Sequence, residues 1–313
     1  MTLRNAVLSV VPLTVRDATP TAWLQWTPYE TPLSNPTSAA AWILFWLAGI
    51  FTGRAYMRSK APFGKSLKWP FFVHNVLLSA GSGLLLALVL EEILPIWKAH
   101  GFFYAICDKG AFTSKLETYY IINYYFKYYE LFDTVFLVLK KKPLTTLHVY
   151  HHSATALLCF SQLYGQTSVQ WVVISLNLFV HLIMYAYYAL TALRIPCPWK
   201  RLVTIAQITQ FVIDLIIVYF ASWQHYAWKW NFRALTCGDC AGREYAAWAG
   251  MAVLTSYLLL FVDFYKRSYA PKRRATRDGT SSPRNAEKGP AAGRDASAQN
   301  ASRTAASAGD WKK

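Results

Sequence analysis

Three histidines carry the first chemical signal. His148, His151 and His152 form an HxxHH box, and offsets of three and four put side chains on one helix face. Clustered imidazoles can bind a metal, or attack an activated carbonyl as neutral nucleophiles. The plainer alternative is an anchor near a membrane surface, beside the lysines that precede the box. Three more polar stripes surround it. Lys127, Glu130 and Asp133 recur at spacings of three, with Thr134 beside them. Asn177, His181, Met184, Tyr185 and Tyr188 follow the helical period, as do Thr204, Gln207, Gln210 and Asp214. A self-satisfied Lys127–Glu130 pair and interhelical hydrogen bonding account for part of this pattern. One shared polar cavity accounts for all four stripes.

The elements that must position these groups are membrane helices. Of 313 residues, 54% are hydrophobic and only 15% charged, against about 25% charged in an ordinary soluble domain. Mean hydropathy is positive. A soluble α/β enzyme, a disordered scaffold and a disulfide-rich secreted fold are therefore excluded. Segments of about 20 apolar residues can span a bilayer. Seven are expected, near 38–57, 70–93, 117–139, 147–165, 168–190, 203–222 and 245–265. The fold class is thus an all-α polytopic membrane protein with seven transmembrane helices. The stripes fall on the third to sixth, where ionisable groups face a bundle interior rather than lipid.

Charge sets orientation. Net charge is +16, about half of it in the last 48 residues, so loop and tail charge rather than a nucleic-acid-binding face explains it. The 1–2, 3–4 and 5–6 loops and the tail hold roughly twice the lysine and arginine of the opposite side, which puts the N-terminus outside and the C-terminus in the cytosol. The expected organisation is a lumenal segment over 1–37, a seven-helix domain over 38–268 and a disordered basic cytosolic tail over 269–313. Five cysteines are too few for a disulfide framework, and the lone CxxC of Cys237 and Cys240 lacks partners for zinc. Iron needs converging ligands. With seven histidines and one box, a metal-dependent fatty-acyl desaturase or hydroxylase is the lesser reading, and no metal ligands are assigned. A non-enzymatic seven-helix receptor or transporter leaves the box unexplained.

The strings KYYELFDT (127–134), LHVYHH (147–152), NLFVHLIMYAYY (177–188) and TIAQITQ (204–210) together resemble the ELO family of fatty-acid elongases, over about 40–268. HHSATALLCFSQL and CGDCAG look most like fungal-type members. Pro143 stands where polyunsaturated-type elongases carry Gln, which favours saturated or monounsaturated substrates. The resemblance implies a very-long-chain 3-oxoacyl-CoA synthase of the endoplasmic reticulum membrane. Such enzymes condense a long-chain acyl-CoA with malonyl-CoA, releasing CO2 and CoA, without a bound cofactor. The implied partners are the lipid bilayer and the reductases and dehydratase that complete the cycle. Nucleic acid is not among them, and a homo-oligomer is left open. The implied fold puts the last six helices in a barrel around a closed-ended acyl tunnel.

The residues can do this chemistry. Cys159 lies ~10 Å or more beyond the box along a helix, so imidazole replaces the cysteine of soluble condensing enzymes. His151 is expected to carry an acyl-imidazole, oriented by His148 and His152, with His181 binding the thioester or enolate oxygen. Lys127, Asn177 and Gln207 are expected to support negative charge. Glu130, Asp133, Tyr185, Tyr188 and Gln210 are expected on the substrate, and Lys140, Lys141, Lys200 and Arg201 on the CoA phosphates. Two further expectations concern the outer side. Cys107 should bridge to Cys237 or Cys240 in an oxidising lumen. A length ruler is expected where Trp223 and His225 end the sixth helix, with Ile217 or Phe220 facing the tunnel. Interfacial anchoring is the plainer role for Trp223 and His225.

Overall fold

The computed structural model describes residues 2–269. The expected tail lies, beyond Tyr269, outside the described residues. Packing distinguishes Met1–Asp263 from the chain that follows. Of the latter, only the end of the last helix is described. All regular elements among the described residues are helical.

Two short helices, α1 (Leu3–Val10) and α2 (Leu13–Ala18), occupy the segment expected only as lumenal chain. The first long helix, α3 (Pro36–Met57), starts where Asn35 accepts a hydrogen bond from the Thr37 amide and Pro36 sits in the first turn, a strong start signal. Next comes α4 (Lys68–Cys107), which runs well past the expected end at 93 and bends at Gly101, whose φ of 85° is costly for any residue with a Cβ. The third expected span is two helices, α5 (Ser114–Glu130) and α6 (Phe132–Leu139), divided at Leu131. The Trp46 indole donates to the Leu131 carbonyl at 3.2 Å and pins α3 against that break. Then follow α7 (Thr146–Gly165), α8 (Gln170–Ala192), α9 (Lys200–Lys229) and α10 (Glu244–Tyr269).

Among the described residues, five helices are long and apolar enough to cross a bilayer: α3, α4, α8, α9 and α10. The other two expected spans fall short for a physical reason. The break at Leu131 leaves two short helices, and α7 spends apolar length on its histidines. The protein is an all-α multi-pass membrane protein, with exposed aromatic and aliphatic side chains such as Leu44, Phe45 and Trp69 on its outside. Packing runs chiefly between α4 and α8, α5 and α7, and α8 and α9, while α3 packs on α6 and α7.

Candidate functional site

A polar ladder joins α5 and α6 to α8. The Lys127 ammonium donates to Glu130 Oε1 at 2.8 Å and to Asn177 Oδ1 at 2.7 Å. That contact fixes the Asn177 amide, whose Nδ2 lies 3.2 Å from His181 Nε2. Nε2 then accepts, and the His181 proton sits on Nδ1, 3.1 Å from Glu130 Oε1. One rung on, the Tyr185 hydroxyl donates to Asp133 Oδ2 at 2.7 Å. Positions three apart across α5 and α6 thus meet positions four apart on α8. Lys127, Glu130 and His181 are all buried. Water is replaced there by charge-assisted hydrogen bonds, without which burial of these ions would be prohibitive.

Asp133 has a partner that sequence reasoning did not single out. His74, buried in α4, places Nε2 2.8 Å from Asp133 Oδ1. Its only signal was a lone histidine in an apolar helix, and nothing local connects it to a carboxylate 59 residues away.

The histidine box straddles two directions. Thr145 caps α7 by accepting from the His148 amide, which sets the box in the first two turns. The His148 and His152 rings lie 4.4 Å apart between centroids, tilted by 52°, and His152 Nε2 lies 3.9 Å from Asp133 Oδ2. His151 turns the other way, against Tyr257 at 4.8 Å and Phe261 at 5.9 Å. The expectation of one shared face is corrected here. Consecutive residues differ by about 100° around a helix, so His151 and His152 cannot point alike.

His151 faces a cavity. Its walls come from α4, α5, α7, α8, α9 and α10, and none of its lining residues lies on α3. Its volume is about 100 Å³, and it is partly open to the outside. At one end lie His151, Lys127, Asn177 and Gln210; the middle is apolar, with Leu158, Val173, Phe211, Val218 and Leu254 among its walls. His225, Tyr226 and the 240–244 segment stand at the far end. Cys159 lies on the wall, accepting from Asn123 Nδ2 at 3.7 Å.

Other expected site residues stand apart from this cavity. His148, His152, His181, Glu130, Asp133 and Tyr185 form the polar layer behind it. Gln207 is not on the wall; it donates to the Met184 sulfur at 3.3 Å, while Gln210 donates to Asp214 at 3.2 Å. Tyr188 is partly exposed beside Tyr185 and Tyr187. Lys200 and Arg201 open α9. Lys141 donates to the Arg58 carbonyl at 3.1 Å. The Lys140 ammonium sits 3.2 Å from the Phe71 ring centroid, and burial together with Lys142 pushes its pKa down to about 8.

The ruler positions also need correction. Trp223 is 51% exposed and donates to the Leu235 carbonyl, so it acts at the outside. Neither Ile217 nor Phe220 lines the cavity; Val218, Ala221, Ser222 and His225 do. Of the outer cysteines, Cys107 pairs with Cys240 and Cys237 stays free.

Fold and site define a multi-pass helical membrane protein whose histidine box opens onto an internal, largely apolar cavity. The ELO (GNS1/SUR4) family pattern matches residues 31–277, and the chain belongs to that family. Two Schizosaccharomyces pombe proteins named as fatty acid elongases 1 and 2 are 48% and 41% identical over 78% and 77% of this chain, which spans 73% and 65% of their lengths. Fatty acid elongase A of Dictyostelium discoideum is 34% identical over 79% of the chain and 89% of its own length.

Proposed function

We propose that this protein elongates fatty acids as a very-long-chain 3-oxoacyl-CoA synthase of the endoplasmic reticulum membrane, with its N-terminus lumenal and its C-terminus cytosolic. The observation that carries this reading is that His151 alone of the box lines the apolar-walled cavity, beside Lys127 and Asn177. A ring nitrogen of His151 attacks the thioester carbonyl, the C–S bond breaks and CoA leaves. The chain stays in the cavity as an acyl-imidazole. Malonyl-CoA then loses CO2, its enolate attacks the acyl carbon, and the C–N bond breaks to regenerate His151 and release 3-oxoacyl-CoA. Decarboxylation supplies the carbanion, so the step needs no strong base, and its redox neutrality needs no electron carrier.

Lys127 and Asn177 face the developing oxyanion from a pre-formed hydrogen-bonded frame. His181 and Glu130 hold that frame from behind. Asp133, with His74 and Tyr185, backs His152 and through it His148. Gln210 lines the same end. Lys140, Lys141, Lys200 and Arg201 hold CoA phosphates, and Gln207 and Tyr188 support the neighbouring wall. Two reductases and a dehydratase act on the product.

The test uses purified protein, an acyl-CoA and labelled malonyl-CoA. The expected product is labelled 3-oxoacyl-CoA. Acyl-CoA alone should release one equivalent of CoA and leave an acylated His151 peptide, and His151→Ala should abolish both. CoA release only when both substrates are present would overturn the covalent route; no 3-oxoacyl-CoA at all would overturn the function.

A further inference from the structure

Among the described residues, no hydrogen bond reaches a ring nitrogen of His151. Polar partners orient His74 and His181, yet the His151 ring is set by packing against other rings. Its nearest ring on the α10 side is Tyr257, which is 1% exposed and lines the cavity with it. The two rings lie 4.8 Å apart between centroids, inclined by 44°. Tyr257 is itself held at both ends. Tyr150 of α7 and Phe211 of α9 pack edge to face on its ring at 5.7 and 5.6 Å. Its hydroxyl lies 2.9 Å from Thr155 Oγ1 and donates to the His151 carbonyl at 3.1 Å, while the Thr155 hydroxyl donates to the same carbonyl at 2.6 Å. Tyr257 is thus anchored on the main chain of the very residue whose side chain its ring supports. Nothing local in the sequence flags this, because Tyr257 lies 106 residues beyond His151.

We propose that Tyr257 is a positioning residue for His151: it holds the imidazole turned into the cavity, beside Lys127 and Asn177, where the thioester carbonyl is attacked. The inference rests on the elongase reading and adds to it a residue outside the histidine box. A histidine side chain has staggered wells at χ1 and a broad range at χ2, so a ring without a hydrogen bond needs neighbours to choose one orientation. Tyr257 and Phe261 occupy the α10 side of the imidazole, and His152 stands 5.5 Å away on the box side. Removing the Tyr257 ring frees the imidazole to turn. Removing only the hydroxyl loosens the ring that holds it. A misplacement of about 1 Å can cost about 100-fold in rate. That loss falls on attack by His151 rather than on acyl-CoA binding, because the apolar walls still hold the chain.

Two measurements test this. First, purified variants are compared per mole of folded protein, by kcat for condensation and by the rate of CoA release from acyl-CoA alone. Tyr257→Leu should lower both by about 100-fold, with KM for acyl-CoA within about twofold of wild type. Tyr257→Phe keeps the ring and should recover most of this, leaving a loss of about tenfold for one hydrogen bond. Thr155→Val should cost about as much, and the double variant no more than either alone, because both changes release the same anchor. A role in stability alone would lower the thermal midpoint and leave both rates unchanged, which would overturn the proposal. A raised KM with kcat retained would overturn it too. Should Tyr257→Leu fail to accumulate, Tyr257→Phe and Thr155→Val carry the kinetic test. Second, an experimental structure of Tyr257→Leu should show the His151 ring turned from its wild-type orientation; an unturned ring overturns the proposal, with or without turnover. Unchanged rates with 3-oxoacyl-CoA still formed would overturn the positioning role and leave the elongase reading standing. A turned ring in the variant, with no 3-oxoacyl-CoA from wild type, would support the positioning role and overturn the elongase reading.

Discussion

At the residue scale, the buried Lys127–Glu130 pair makes the sharpest demand. Both side chains are 2% exposed, so neither ion can fall back on water. Removing one partner of a buried pair typically costs about 3–5 kcal/mol, because the other charge is stranded. Lys127→Ala should therefore destabilise the folded protein by about that much, while Lys127→Met combined with Glu130→Gln should recover at least half of the loss. Denaturant unfolding in detergent checks this, and equal losses for single and double variants would contradict it. Lys140 makes a second demand. With its pKa lowered to about 8, it carries charge below pH 8 and loses it above. If it holds CoA phosphate, KM for acyl-CoA should rise between about pH 7 and 9. In Lys140→Arg that rise should disappear, because a guanidinium stays protonated throughout.

At the scale of the element, α7 decides where the box sits. Its first turn is capped by Thr145, whose hydroxyl takes the His148 amide. Thr145→Ala should cost about 1 kcal/mol of stability and lower turnover, since the frayed turn is the one that begins the box. Thr145→Ser should restore both, as read by thermal unfolding and the condensation assay. The break at Leu131 works with this helix. It lets α5 deliver Lys127 and Glu130 toward Asn177 and His181, while α6 restarts to bring Asp133 between His74 and Tyr185.

At the scale of the whole molecule, one covalent link joins chain segments 133 residues apart. Non-reducing peptide mapping should return Cys107 linked to Cys240, with Cys159, Cys197 and Cys237 as free thiols. Closing so long a loop stabilises by up to about 4–5 kcal/mol in the chain-entropy account. Reduction should accordingly lower the thermal midpoint of the intact protein. A linkage between Cys237 and Cys240, or an unchanged midpoint on reduction, would count against this arrangement.

The residue types and their periods determined the class by themselves. Low charge and long apolar segments leave only a membrane bundle, and four polar stripes at helical spacing have to face inward, because hydrocarbon rejects them. Hence the stripes that carry Lys127, His151, Asn177 and Gln210 were legible as facing the bundle interior from spacing alone. Which way each stripe turned was not. A period of 3.6 constrains a stripe only to within the width of a helix face. The split between His151 and His152, the place of Gln207 against Met184, and the choice of Val218 and Ser222 over Ile217 and Phe220 all fall inside that width. They were decided by how neighbouring helices pack. His74 and the choice of Cys240 over Cys237 are longer-range still. Each depends on two segments far apart in the chain meeting at hydrogen-bond or covalent distance, and only the tertiary structure brings them together.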